Sequence, residues 1–295
     1  MRFEPVELAM KNAVERYTTA WGLESSEYTF TNLLMWGVGG KIQLAEDNGA
    51  LFLLLEEQGR RYMFAPLTLD PGGDYGAALT LAVEWFRENG VEPVFKAISG
   101  PIRDAFERAG GFALTEDRNN FDYVYTMEEL RDLAGKKLHA KRNHINQFMA
   151  QYGHEYEYVR VTPGMLEECV AVYNEWLLGK DPDEANVMEL CAIKVVLRHM
   201  EELGVVGGGV RIGGRLAAFT LGQRINGRCA VVHIEKADGG VTGLYTVINN
   251  LFVKNEFSDM QFINREEDMG LEGLRRAKLS YNPAYLIHKF EGRPL

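Results

Sequence analysis

An α+β fold made of two tandem modules, each a mixed, mostly antiparallel sheet flanked by helices, is what this sequence predicts. Three observations predict it. The string Gly72-Gly73-Asp74-Tyr75-Gly76 returns as Gly239-Gly240-Val241-Thr242-Gly243, with each glycine repeated 167 residues later. A strand candidate precedes each copy (Tyr62 to Pro66, Cys229 to Lys236), and an amphipathic helix candidate follows it. The register then persists: Val94-Phe95 maps onto Gln261-Phe262, each inside the next strand candidate. With 31 glycines in 295 residues, two GGxxG strings alone mean little. Agreement of strand, loop, helix, strand and helix at one offset is what marks a duplicated module.

The elements follow in order. The first module, placed at 1–125, opens with a helix from Pro5, a favourable first helical position, burying Val6, Ala9, Met10, Ala13 and Tyr17. Strands at Lys41 to Ala45 and Ala50 to Glu56 flank the turn Glu46-Asp47-Asn48-Gly49. After the first glycine string, Ala78, Leu79, Ala82, Trp85 and Phe86 fall on one helical face, and a further helix spans Pro101 to Ala109. The second module, 126–295, begins with a helix over Gly135 to Met149 whose apolar stripe is Leu138, Ile145 and Met149. A helix from Pro163 is capped by Thr162, and another starts at Asn186 with Glu189 three residues on, a capping-box spacing. Two strands meet at the hairpin turn Gly213-Gly214. In the second copy Leu244, Val247, Ile248, Leu251 and Phe252 share one helical face, and a last helix spans Met269 to Leu279. Helices, antiparallel strands, then strand-loop-helix-strand-helix is not the regular alternation of a doubly wound parallel sheet.

Composition narrows the function. The 32 basic and 42 acidic residues give a net charge of −10, against polyanion binding over the whole surface, so any contact with RNA or anionic lipid must be local. Lys136, Lys137 and Lys141 form the one local basic cluster, which reads first as a solvated helix face. The longest uninterrupted aliphatic or aromatic run, Leu51 to Leu55, is too short to span a bilayer, and the acidic N-terminal stretch is no signal peptide. Three cysteines without metal or redox spacing, Cys169, Cys191 and Cys229, read as reduced thiols of a cytoplasmic protein. No metal site is expected, and no nucleophile elbow or Walker loop is present.

Three strings, Gly135 to Phe148 (GKKLHAKRNHINQF), His233 to Asn250 (HIEKADGGVTGLYTVINN) and Ile263 to Pro283 (INREEDMGLEGLRRAKLSYNP), resemble the phosphatidylglycerol lysyltransferase C-terminal domain-like family. The resemblance covers essentially the whole chain and implies a tandem pair of GNAT-type acyltransferase folds. The family is similar to the Fem-type transferases, which move an amino acid from aminoacyl-tRNA onto an amine or hydroxyl of a peptide or lipid. It implies an acyl- or aminoacyltransferase with acyl-CoA or aminoacyl-tRNA as donor and no covalently bound cofactor, tRNA being a partner that the net charge does not indicate. The glycine loop departs from the coenzyme A-binding pattern, lacking its basic residue and R/QxxGxG/A spacing. A membrane region like that of the lipid-modifying enzymes is not expected from this sequence.

The candidate site residues cluster in the second module. Strand alternation places Cys229, Val231, His233 and Glu235 on one face, with Glu235 as a general base for an attacking amine and His233 as its substitute or its orienter. The loop Gly239, Gly240, Val241, Thr242 and Gly243 opens a helix whose N–H groups can meet a phosphate or carboxylate of the donor. His139, Arg142, Asn143 and Asn146 form a polar helical stripe suited to holding substrate. In the last string Asp268 caps the next helix, while Asn264, Arg265, Glu266 and Lys278 surround the strand end as substrate-binding candidates. By resemblance Tyr281 protonates the leaving group. The alternative to an enzyme is a degenerate transferase fold that binds a small acidic or amino-acid ligand without turnover. A purely structural scaffold comes third, because buried polar stripes that bind nothing are costly.

Overall fold

We describe the fold from a computed structural model of the chain, covering residues 1–178 and 183–295. The chain forms two compact units, Met1–Asp122 with Ile287–Leu295, and Tyr123–Leu286.

In the first unit β1 (Glu4–Pro5) precedes helices α1 (Lys11–Trp21) and α2 (Phe30–Trp36). The strands β2 (Ile42–Asp47), β3 (Ala50–Glu57), β4 (Arg60–Phe64) and β5 (Leu67–Thr68) follow, then α3 (Tyr75–Glu88), β6 (Phe95–Ile98), α4 (Gly100–Ala109) and β7 (Phe112–Glu116). The β2–β3 hairpin turns at Asn48-Gly49, both at positive φ, as the Asn-Gly pair demands. The helix expected from Pro5 is displaced. Pro5 pairs as a strand residue, and α1 starts at Lys11 with Val14, Tyr17 and Trp21 inward.

The second unit holds β8 (Asp122–Thr126), α5 (Met127–Asp132), α6 (His139–Tyr152), β9 (Tyr156–Val161), α7 (Leu166–Leu177), α8 (Glu184–Arg198) and α9 (Met200–Leu203). It continues through β10 (Val205–Ile212), β11 (Arg215–Arg224), β12 (Cys229–Ala237), α10 (Leu244–Glu256), β13 (Phe262–Asn264), α11 (Glu272–Leu279) and β14 (Tyr285–Ile287). The last strand is β15 (Phe290–Pro294). Helix α8 is capped by a reciprocal Asp183–Asn186 box rather than by Asn186 with Glu189.

The two sheets have one plan. The first runs β1-β2-β3-β4-β6-β15-β7, and the second, read from its far edge, β9-β10-β11-β12-β13-β8-β14. Each contains a parallel pair amid antiparallel neighbours, β4–β6 and β12–β13. Parallel partners need a crossover, and the helix after each glycine string supplies it, α3 in one unit and α10 in the other. The duplication read from the glycine strings is therefore a duplication of topology.

One feature departs from a cut at 125/126. The sixth strand of each sheet comes from the far side of the chain: β15 lies between β6 and β7, and β8 lies between β13 and β14. Within the first unit β15 packs on the core through Gly292, where a Cβ would stand 2.7 Å from the Ile98 Cδ1. Its entrance is fixed by Lys289, 1% exposed, whose ammonium lies 2.6 Å from the Asp122 carboxylate and also bonds Glu27. Asp122 in turn accepts from the Ser26 N–H and hydroxyl. Burial raises the Glu27 carboxyl, and the Lys289 charge opposes that rise.

Lys289→Met leaves the buried Asp122 carboxylate without its cation. It is expected to cost about 3–5 kcal/mol of stability, read from urea unfolding of the full chain.

Candidate functional site in the second unit

The site begins where two strands part. Strands β12 and β13 pair only at Cys229–Phe262, Ala230–Ile263 and Val231–Asn264, after which β12 continues to Ala237 without its parallel neighbour. At the same place β12 carries an extra residue. Leu221 pairs with Ile234 and Gly222 with Val232, so His233 is bulged out of the ladder.

The bulge overturns the expected alternation. Ala230 and Val232 pack with Phe252 of α10, Glu235 bonds Asn249 of α10, and Ala237 packs with Leu244, Val247 and Ile248 of the same helix. Glu235 thus lies on the α10 side, the face opposite to that expected for Cys229 and Val231. His233 and Glu235 take different partners and do not orient one another.

Glu235 is the centre of the crevice. Its carboxylate accepts from the Arg265 Nη2 at 3.0 Å and from the Asn249 Nδ2 at 2.9 Å. Arg265 stacks its guanidinium over the Tyr281 ring at 4.8 Å, and the Tyr281 hydroxyl donates to the Thr246 Oγ1 at 3.3 Å. Burial raises the Tyr281 phenol, with Arg265 pulling the other way, so the phenol keeps its proton at neutral pH. His144 of α6 approaches the same Thr246 hydroxyl at 3.4 Å. Across the parted strands His233 Nδ1 meets the Glu266 Oε1 at 2.8 Å. Among the described residues the Arg265 Nη1, His233 Nε2 and Asn249 Oδ1 are buried with no hydrogen-bond partner. Two unused nitrogens and one unused acceptor are what a polar ligand needs.

The segment after β13 holds this geometry. Asn264 and Glu266 are tied by a 2.7 Å bond from the Glu266 N–H to the Asn264 Oδ1, and Glu266 takes φ 56°. Lys278 is buried, and its ammonium donates to the Arg265 and Glu267 carbonyls. Asn264 and Lys278 therefore serve the backbone of the turn. Asp268 does not cap α11, whose N-cap is Leu271. It accepts from the Gly270 N–H, the Arg275 guanidinium and the Tyr123 hydroxyl. Burial alone would raise its carboxyl, but those bonds outweigh it and hold Asp268 well below the usual carboxylate range.

The glycine loop sits at the start of α10. Asp238 itself takes the Gly240 N–H at 2.9 Å and pairs with Arg215 at 3.0 Å. The Val241 and Leu244 N–H groups bond the Asp238 and Val241 carbonyls. Gly243 has its own structural reason, because at φ 82° a Cβ there would lie 2.3 Å from the His144 carbonyl oxygen. This glycine lets α6 cross the start of α10. Gly239 and Thr242 are solvent-side loop residues.

The polar stripe of α6 lies at the surface of the second unit. His139, Asn143 and Asn146 are exposed, and Arg142 donates to the Leu133 and Gly135 carbonyls at the helix start. The residues of α6 that reach the crevice are Lys141 and His144. The apolar stripe is Leu138, Ile145 and Phe148, with Met149 exposed, and Lys141 lies three residues after Leu138 and four before Ile145. That spacing was the signal for Lys141. Nothing in the sequence pointed to Thr246 or Asn249, which share a helical face with apolar residues.

Two units of one plan, with parted parallel strands and a polar crevice in the second, define a tandem acyltransferase fold of the GNAT type. The family described as phosphatidylglycerol lysyltransferase, C-terminal, matches residues 20–290, and the chain belongs to it. A conserved protein of unknown function from Bacteroides thetaiotaomicron VPI-5482 is 32% identical, with 100% of each chain covered and a TM-score of 0.89. L-PGS from Bacillus licheniformis shares the fold at 14% identity and a TM-score of 0.66, covering 99% of this chain and 92% of that one. A tandem GNAT protein from the clavulanic acid biosynthesis pathway does so at 14% identity and 0.54, covering 99% and 98%. An uncharacterized protein of Mycoplasmoides gallisepticum is 23% identical over 169 residues, 57% of this chain, and the match spans about half of that relative's length (54%). Among the described residues no helix is long and apolar enough to cross a membrane.

Two stability measurements check this geometry. Gly243→Ala combines a left-handed backbone with a clash against a helix carbonyl, and is expected to cost roughly 2–4 kcal/mol in denaturant unfolding. Asp268→Asn is expected to cost about 3 kcal/mol at pH 7. A carboxyl held below its unfolded value near 4 stabilises fully above that pH and progressively less as pH falls. The gap between the parent and Asp268→Asn should therefore narrow below about pH 4.

Proposed function

We propose that the second unit transfers an acyl or aminoacyl group from an activated ester onto an amine or hydroxyl acceptor. The observation that carries this reading is the set Glu235, Arg265 and Tyr281, gathered between two parted strands with a proton acceptor, a cation and a protonated phenol within one crevice. Glu235 would take the proton of the attacking nucleophile, the unused Arg265 Nη1 would face the carbonyl oxygen as charge grows on it, and Tyr281 would protonate the leaving oxygen or sulfur. Direct attack within such a crevice needs no covalent enzyme intermediate. Asp238 bears on the donor. A carboxylate already bonded to the glycine loop favours an aminoacyl ester over a pyrophosphate-bearing coenzyme A thioester.

The same carboxylate is the one observation favouring a second reading, a binding module without turnover. Thermal shift against aminoacyl-tRNA and acyl-CoA donors, followed by product detection with amine acceptors, separates the two. Glu235→Gln should lower turnover by about 10²–10⁴-fold while the variant still binds donor. Unchanged turnover removes Glu235 from the mechanism, and stabilisation by a donor that is never consumed supports the binding module.

A further inference from the structure

Lys141 belongs to the crevice rather than to the solvent. Its ammonium nitrogen lies 3.9 Å above the centre of the Tyr281 ring, and the side chain is half-buried yet reaches the surface. The groups facing it are Tyr281 after α11, Arg265 after β13 and Glu235 of β12, while α10 contributes the uncharged Thr246 and Asn249 to the same crevice. On its own helix, His144 points its ring towards Thr246. Among the described residues no carboxylate lies within ion-pair distance of Lys141, because Glu235, the acid nearby, is bonded to Arg265. A half-buried amine beside a guanidinium and without a counter-ion of its own is poorly held in its charged form, and the Tyr281 ring face offsets only part of that.

We propose that Lys141 is a reactive amine, a site of acylation by activated esters and thioesters that enter the crevice. The Nζ lone pair attacks the carbonyl carbon. The bond from that carbon to the ester oxygen or thioester sulfur breaks, and the leaving group departs as alkoxide or thiolate. The nitrogen's surplus proton passes to that leaving group or to water, and an Nε-amide remains. An acyl donor bound without an acceptor would in this way cap Lys141 and close the crevice to further donor. Burial first, then the Arg265 charge, bring the amine down to about 8, with Glu235 opposing.

The reaction shares its crevice with the transferase reading but does not depend on turnover. The test is limiting acetylation of the folded full-length chain by p-nitrophenyl acetate between pH 6 and 11, with each lysine followed by peptide mass spectrometry. At pH 7 an amine titrating near 8 is uncharged on the order of a hundredfold more often than one near 10.4. Lys141 should acetylate at least about tenfold faster than the exposed Lys136 and Lys137, with a midpoint near pH 8, since lower basicity offsets part of that advantage. Tyr281→Phe keeps the ring over the amine and should keep that midpoint, whereas Arg265→Gln should raise it. Labelling no faster than at Lys136 and Lys137, or a midpoint above 10, overturns the proposal. Selective labelling in a protein that transfers no acyl group from any donor to an added acceptor would count against the transferase reading and leave this one standing.

Discussion

Two β-strands that run side by side for three residues and then separate create the constraint on which the second unit rests. Beyond Val231 and Asn264 each strand loses its neighbour on one side, and the gap must be filled by side chains or by water. An apolar filling would give a sealed core. Here two polar bridges cross the gap instead, Glu235 to Arg265 and His233 to Glu266. Ions taken out of water are tolerated only when their remaining bonds are met. Asn249 and the Tyr281 ring meet most of them, and three buried atoms are left over. The incomplete satisfaction sets this crevice apart from a structural ion pair.

The first unit meets the same parting of strands with a different filling. Its parallel pair, β4 and β6, also parts, but the chain beyond β4 is the buried run Ala65, Pro66 and Leu67. The carbonyls there are capped from inside the protein, Ala65 by the Tyr28 hydroxyl at 3.1 Å and Pro66 by the Tyr75 hydroxyl at 3.0 Å. Both tyrosines are fully buried and their phenols are pushed well up by burial. One copy closes its gap with neutral donors aimed at backbone. The other spans it with paired polar side chains, beside which the Arg265 Nη1, His233 Nε2 and Asn249 Oδ1 have no hydrogen-bond partner among the described residues.

Much of this plan was legible in the sequence because local rules carried it. The glycine strings, the Asn48-Gly49 and Gly213-Gly214 turns and the helical faces after each loop are short-range patterns, and each element stands where they put it. The bulge at His233 was not legible. A single extra residue leaves composition and periodicity almost unchanged, yet it turns Glu235 to the other face. The place of Asp268 was hidden for a related reason, since an acid two residues before a glycine serves equally well as a turn or a cap, and Arg275 and Tyr123 decide the matter from a distance. Lys141 was hidden by its neighbours, because with Lys136 and Lys137 it forms a basic cluster that reads as a solvated helix face, whereas its ammonium lies over the Tyr281 ring.

The placement of β8 and β15 is the least local feature, and its physics is the most demanding. The sixth strand of the first sheet is supplied by the far end of the chain, and the polar groups buried where it enters must find partners within that unit. The residues at the two passages answer that demand together. Asp122 is the last residue of the first unit before the chain leaves, and Lys289 stands among the first residues after it returns. They form a buried pair, with Glu27 on the ammonium and Ser26 on the carboxylate. Neither charge can stay buried without the other. Departure and return of the chain are thus tied at one point, where Lys289, next to the strand that completes the sheet, meets an acid 167 residues earlier.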